Sequence, residues 1–277
     1  MRVIWGARHA WALLFALATG VAPVQSGQVV RVGAYLFPPF VEQTGGLTAD
    51  LVQAMNAFQK DYTFQLVNTS SNRRYRDMAN GSFSMILFEN IKWGWDPSTV
   101  QASKVFLKGD GEVFVARSQP GRGQEYFSNQ ADKQILGVTG YHYGFANFDA
   151  DPQRLMQRFK ISFSPDNAVS LRNLLAERGD IAVITRSYLQ SYLDKEPQTA
   201  QLLLVSDQLD QAYAHTALVK KNTKPSAREL DVLFEKMESA GALKPLWMRS
   251  SHCGCGTVYI NSQKAHGNAL PCESTAL

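Results

Sequence analysis

The sequence predicts an α/β protein made of two units in series. Three features carry that expectation. Short β-branched or aromatic runs alternate with longer stretches of helical periodicity from residue 29 to residue 249, a pattern of strands and helices that layer around a largely parallel sheet. The alternation pauses at a turn holding Pro120, Gly121 and Gly123, then starts afresh. Of the 277 residues, 45% are apolar, enough to bury one large core or two modest ones.

The first strand is expected at 29–35. Pro38 and Pro39 then force an extended turn, since each fixes its own φ and biases the residue before it away from helix. Leu51, Val52, Met55 and Phe58 stand near helical spacing, which predicts a helix over 47–58, followed by a strand at 62–68. A polar, basic helix over 72–80 stops at Gly81, and the continuous apolar run at 83–88 reads as a strand buried on both faces. After a tryptophan-rich irregular segment, 111–117 is a strand. The second unit repeats the alternation: strand 135–139, a turn at Gly140, helices 152–159 and 167–178, the latter ended by Gly179, strand 181–185, helix 187–193 and strand 202–205. A last helix over 227–240 ends at Gly241, and 243–248 continues apolar. The expected organisation is a first lobe at 29–115, a second at 116–205, and a return to the first at 206–250.

The two ends read differently. Arg2 and Arg8 precede an apolar run at 10–18, and small or turn-forming residues follow to Ser26. That pattern predicts a secretory signal over 1–26, too short to span a bilayer and without a cysteine for a lipid anchor. Without residues 1–26, which hold two arginines and no acid, the net charge falls from +4 to +2, so nucleic acid is not an expected partner. The three cysteines, Cys253, Cys255 and Cys272, fall in a small, polar tail at 251–277. Either one of the close pair bridges to Cys272, or the cluster joins His252 and His266 at a metal; the spacing matches no familiar zinc pattern.

The ordered set of elements resembles the periplasmic solute-binding proteins that serve polar amino-acid importers, bacterial extracellular solute-binding protein family 3. The resemblance spans residues 29–249. It rests on the opening strand with Pro38-Pro39-Phe40, the Gly81-Ser82-Phe83-Ser84-Met85-Ile86 segment, Lys104 to Val115 in sequence, and Gly137-Val138-Thr139-Gly140. It continues through Ala176-Glu177-Arg178-Gly179-Asp180-Ile181 and the stretch from Gly241 to Trp247. It implies the two-lobed type 2 periplasmic binding fold, each lobe a mixed sheet flanked by helices with two hinge crossings. It also implies a ligand held between the lobes and an ATP-driven importer as docking partner. The likeness lapses where ligand chemistry is usually written. The family's Thr-Pro-x-Arg turn, whose arginine pairs with a ligand carboxylate, is absent, and an ungapped comparison sets Asp96 there. Where the family has an aspartate after the strand at 181–185, this chain has Arg186.

Aromatic residues gather just past the carboxyl ends of strands, where open α/β sheets bind ligands: Tyr35, Phe37 and Phe40, then Trp93 and Trp95, then Tyr141 and Tyr143. The candidate ligand-binding set is Tyr35, Phe40, Arg74, Glu89, Trp93, Trp95, Tyr141, His142 and Arg186. Aromatic faces stack on planar ligands or hold cations; Arg74 opens a helix that the resemblance implies starts at the cleft; Glu89 follows a buried strand and is placed to accept ligand donors with a raised pKa. No G-x-S-x-G elbow, P-loop or paired metal-ligand histidines occur, so neither a cofactor nor catalysis is expected. The function expected is an extracytoplasmic, monomeric solute-binding protein for an ABC importer, taking a small polar molecule, amino-acid-like or another small organic ion. Two alternatives stand beside it: a periplasmic enzyme of the cyclohexadienyl-dehydratase kind using Glu89 or His142, and a sensory binding module.

Overall fold

The computed structural model describes residues 27–251. The expected signal at 1–26, the cysteines and both tail histidines lie outside that range. Within it, strands β1 (Gln28–Ala34), β2 (Tyr62–Asn68), β3 (Met85–Glu89), β4 (Val100–Ala102), β5 (Leu107–Arg117), β6 (Ile135–Val138), β7 (Ile161–Ser164), β8 (Ile181–Thr185) and β9 (Leu203–Lys220) alternate with helices. The helices are α1 (Leu47–Phe58), α2 (Arg74–Ala79), α3 (Pro152–Arg158), α4 (Asn167–Leu175), α5 (Arg186–Lys195), α6 (Ala227–Ser239) and α7 (Lys244–Ser251).

The strands hydrogen-bond in the order β2-β1-β3-β9-β5-β8-β6-β7, with β4 also on β9. Pairing is parallel where helices cover the sheet, between β1, β2 and β3 and between β6, β7 and β8. It is antiparallel wherever β5 or β9 takes part. The sheet is therefore mixed, more so than the helix–strand alternation suggests.

β5 and β9 join the two lobes. Glu112 to Ala116 of β5 pair with β8 in the second lobe, while Thr216 to Lys220 of β9 pair with β3 and β4 in the first. Between them the β5–β9 register breaks from Lys108 to Gly111, and a Cβ on Gly111 would lie 2.2 Å from the Gln211 carbonyl oxygen. This bare backbone contact lets two long strands pass from one sheet to the other. The sequence expectation of a strand at 202–205 captured only the start of β9. Its middle, Asp207-Gln208-Leu209-Asp210-Gln211, is polar because it crosses between lobes instead of lying within one core.

Local chemistry explains the helix ends. Ser226 and Glu229 form a reciprocal capping box on α6, and Gly241 at φ +72° closes it with its N–H donated to Glu238 O and that of Ala242 to Met237 O. α4 ends earlier than its sequence predicts. The left-handed residue is Glu177, at φ +63°, and not Gly179, whose Cβ position is filled by the Leu136 side chain at 2.5 Å. β4 and β7, at 3 and 4 residues, carry too little pattern to be read from sequence.

One apolar cluster runs from β1 and α1 through Phe37, Trp93 and Tyr141 into β6 and β8, so the core is continuous across the lobe boundary. A smaller cluster lies under α4 and α5, around Leu171, Leu174 and Leu189. No helix among the described residues is long and apolar enough to cross a membrane.

Candidate functional site

The carboxyl ends of β1 and β3 bring the first-lobe residues to the lobe boundary. β3 is entirely buried, and a register shift between Ile86 and Glu89 accompanies Phe88 at φ +56°. A left-handed phenylalanine is strained, and the strain persists only because surrounding contacts fix it. The Phe88 carbonyl accepts from His215 Nδ1 at 3.0 Å, and the Glu89 carbonyl accepts from Thr216 Oγ1 at 2.9 Å. The bulge aims the Glu89 side chain at Arg74 on the first turn of α2.

Arg74 is 1% exposed and Glu89 is 0% exposed, with Arg74 Nε and Glu89 Oε1 3.1 Å apart. The two atoms are off line for a hydrogen bond, so charge rather than a directed bond holds this contact. Trp95 Nε1 donates to the other Glu89 oxygen at 2.8 Å. The Arg74 guanidinium lies 4.7 Å from the Tyr35 ring and 4.5 Å from the Tyr75 ring, and Nη1 donates to Ser71 O and, at 3.5 Å, to Gly140 O across the lobe boundary. Burial pushes the Glu89 carboxyl up, opposed by Arg74 and then by the hydrogen bonds from Trp95 and Tyr35. Burial pushes Arg74 down, and Glu89 together with the surrounding tyrosines more than restores it, so the guanidinium keeps its charge.

The second lobe answers with the turn at Gly140, Tyr141 and His142. His142 Nδ1 donates to the Phe148 carbonyl, which leaves Nε2 facing the Tyr75 hydroxyl at 2.8 Å. That hydroxyl is also 2.8 Å from the Trp93 carbonyl. A phenol has one hydrogen, so with neutral His142 it serves one of these acceptors at a time. Burial pushes His142 down to about 4, which keeps the ring neutral near pH 7. Ser71 Oγ donates to the Thr139 carbonyl at 2.8 Å, a further bond between the lobes.

The hinge strands supply the floor. Gln211 accepts from Trp93 Nε1 at 3.1 Å and donates to Glu112 at 2.8 Å and to the His142 carbonyl. The other Glu112 oxygen is 3.0 Å from the Tyr213 hydroxyl, which in turn lies 3.4 Å from Thr185 Oγ1. Burial, reinforced by Asp210, raises the Glu112 carboxyl well above its usual range. The single Tyr213 hydrogen goes to Glu112, so Thr185 Oγ1 donates to the Tyr213 oxygen and in turn accepts from Asn167 Nδ2 at 3.1 Å.

Tyr35, Phe37, Arg74, Trp93, Glu112, Gly140, Tyr141, His142, Gln211 and Tyr213 enclose a cavity at the lobe boundary of about 10 Å3, room for about one water. The Tyr141 hydroxyl is buried there without a hydrogen-bond partner. Of the sequence-derived candidates, Tyr35, Arg74, Trp93, Tyr141 and His142 line this cavity, while Glu89 and Trp95 sit behind it on Arg74. Phe40 packs beneath, with ring centroids 4.3 Å from His215 and 4.8 Å from Phe37. Arg186 is elsewhere: half-exposed, beside Asp110 and donating to the Gly109 carbonyl. Asp96 is exposed and bonded to Ser98, so neither charge of the expected reversal faces the cavity. Sequence reasoning missed Glu112, Gln211 and Tyr213. Their only signal is a run of polar residues in β9 and an acid, Glu112, directly before the apolar Val113-Phe114-Val115-Ala116 stretch of β5, legible once both strands are known to cross the lobes. No group of acidic, histidine or cysteine side chains among the described residues is placed to hold a metal ion.

No protein-family model matches the sequence, and no curated protein matches it either. The structure does match solved structures. The GluR0 ligand-binding core from Nostoc punctiforme in complex with L-glutamate aligns at TM-score 0.62 and 13% identity, covering 80% of this chain and 99% of that one. An ABC uptake transporter substrate-binding protein from Streptococcus pneumoniae with bound histidine aligns at TM-score 0.63 and 17% identity, covering 80% and 92%. The periplasmic VFT2 domain of Bordetella pertussis BvgS aligns at TM-score 0.57 and 17% identity, covering 79% and 92%. At these identities the likeness establishes the two-lobed periplasmic binding fold.

Proposed function

We propose that this chain is a solute-binding protein that works outside the cytoplasm, closing its lobes on a small polar molecule and presenting the closed form to a membrane partner of the ABC-importer type. The observation that carries the reading is the lobe-boundary cavity, lined from both lobes and both hinge strands, with the Tyr141 hydroxyl buried in it and unpaired. A buried hydroxyl with no partner costs free energy, and a ligand atom or a water removes that cost. The similar structures support the reading, because two of them hold an amino acid. The mechanism is hinge closure about β5 and β9: ligand contacts made to both lobes at once favour the closed population.

Catalysis is not part of the proposal. Glu89 is committed to Arg74 and Trp95, and His142 to Phe148 and Tyr75, so neither is free to move a substrate proton. The test is a metabolite screen read by thermal unfolding and by Trp93 fluorescence. Expected is at least one small polar compound that raises Tm in a saturable way, with the response lost in Tyr141→Phe. A screen in which no compound shifts Tm or small-angle scattering rejects the reading, and turnover of a prephenate-like substrate that disappears in Glu89→Gln replaces it with the enzyme.

A further inference from the structure

An arginine at the boundary between two lobes is the natural anchor for a ligand carboxylate, because its planar fork pairs with two oxygens at once. Arg74 stands at that boundary, but its charge is already met from within the chain. Its charge is matched by Glu89 at 3.1 Å, Nη1 is given to the Ser71 and Gly140 carbonyls, and its faces lie against Tyr35 and Tyr75. The other polar groups around the cavity are similarly engaged. Gln211 uses its oxygen and its amide hydrogens on Trp93, Glu112 and His142. Glu112 is held by Gln211 and Tyr213, and His142 by Phe148 and Tyr75. What remains to meet a ligand is the unpaired Tyr141 hydroxyl between the aromatic surfaces of Tyr35, Phe37 and Trp93.

We propose that Glu89 occupies, from within the chain, the place of a ligand carboxylate on Arg74, so that the cleft rejects carboxylates and, once the lobes part beyond the one-water cavity, accepts small uncharged planar molecules with a hydrogen-bonding edge. The proposal rests on reading the cleft as a solute site and adds the ligand class. A free carboxylate entering this cavity finds no uncompensated cation. It has to displace Glu89, which leaves a second buried carboxylate without a partner. A neutral amide or lactam asks for none of this: its plane lies on the aromatic rings and its polar edge meets Tyr141. The burial of Glu89 and Arg74 in one contact sets the selectivity, and an arginine at the lobe boundary is turned from an anchor into a wall.

The deciding experiment is replacement of the internal carboxylate from solution. In Glu89→Ala, a small carboxylate fits the space the side chain vacates and pairs with Arg74. Expected is a concentration-dependent rise in Tm with sodium acetate, not reproduced by sodium chloride at equal ionic strength and absent from the unaltered protein. The half-maximal acetate concentration is expected to be at least about tenfold lower in the variant. In Arg74→Met with Glu89→Ala the acetate response is expected to vanish. If Glu89→Ala does not fold in chloride, refolding in acetate is the readout, and Glu89→Gln, which keeps the side-chain shape and frees the arginine charge, is titrated with acetate by calorimetry. The unaltered protein is expected to respond to acetamide, 2-pyrrolidinone or uracil and not to acetate, glycine or L-glutamate. Absence of the acetate effect in both variants overturns the proposal, and so does stabilisation of the unaltered protein by glycine or L-glutamate. An unaltered protein that binds none of the probes, with acetate rescue intact, removes the solute-binding reading and leaves the role of Glu89 standing.

Discussion

Replacing Gly140 by alanine tests whether the lobe contact is held at one tight point. Gly140 has φ +77°, and a Cβ there would lie 2.5 Å from Asn72 Oδ1, 2.8 Å from Ser71 Oγ and 2.9 Å from Ser71 Cβ. The Asn72 side chain can swing aside, but Ser71 Cβ is fixed to the backbone. Reaching ordinary contact therefore moves the lobes apart by about 0.5–1 Å, on the scale set by interior packing. That displacement stretches the 2.8 Å bond from Ser71 Oγ to the Thr139 carbonyl and the 3.5 Å contact from Arg74 to the Gly140 carbonyl. Each bond lost weakens the closed form by about 0.5–1.5 kcal/mol, and a total of about 1.4 kcal/mol moves the open-to-closed ratio tenfold. Alanine at a left-handed position adds about 1–2 kcal/mol of its own. Gly121 separates the two effects, since its φ is +75° and nothing lies within 4 Å of its Cβ position. Both variants are expected to lose the backbone term in urea unfolding, and only Gly140→Ala to show larger dimensions in small-angle scattering. Equal scattering and equal stability loss in the two variants would refute the argument.

Arg74→Met leaves Glu89 buried with no counter-charge and is expected to cost about 3–5 kcal/mol in urea unfolding, whereas Arg74→Met with Glu89→Leu recovers most of that loss. His215 is fully buried among Phe37, Phe40, Phe88 and Trp93, and burial pushes its pKa down to about 3 from 6.5. The folded state keeps this ring neutral while the unfolded chain protonates it, so its stabilising contribution is present above pH 6.5 and is lost as pH falls toward 3. The loss approaches about 5 kcal/mol, and His215→Phe is expected to flatten that part of the stability profile. Ser226→Ala removes the capping box of α6 and is expected to lower stability by about 1 kcal/mol without changing scattering dimensions.

Much of the fold is legible because helices and buried strands repeat a local pattern. α1, β2 and β8 lie where their periodicity sets them, at Leu47–Phe58, Tyr62–Asn68 and Ile181–Thr185. The elements that escape are those whose side chains answer to distant partners. β9 runs 18 residues with a polar middle, because it serves two sheets and the gap between them. The site divides the same way. The aromatic residues announce themselves by standing after strands, and Glu89 by following an apolar run. Glu112, Gln211 and Tyr213 carry no such mark, since their importance comes from two strands being brought side by side, with Glu112 and Gln211 directly paired.

The sequence by itself determined the α/β alternation, the division into two units and the gathering of aromatic residues at strand ends, because these depend on periodicity and on backbone chemistry within a few residues. Only the tertiary structure decided what the charges do. Arg74 and Glu89 are fifteen positions apart in the chain, on different elements, and nothing in either neighbourhood pairs them. A register shift in β3 and the start of α2 put them 3.1 Å apart in the buried interior, where each charge needs the other.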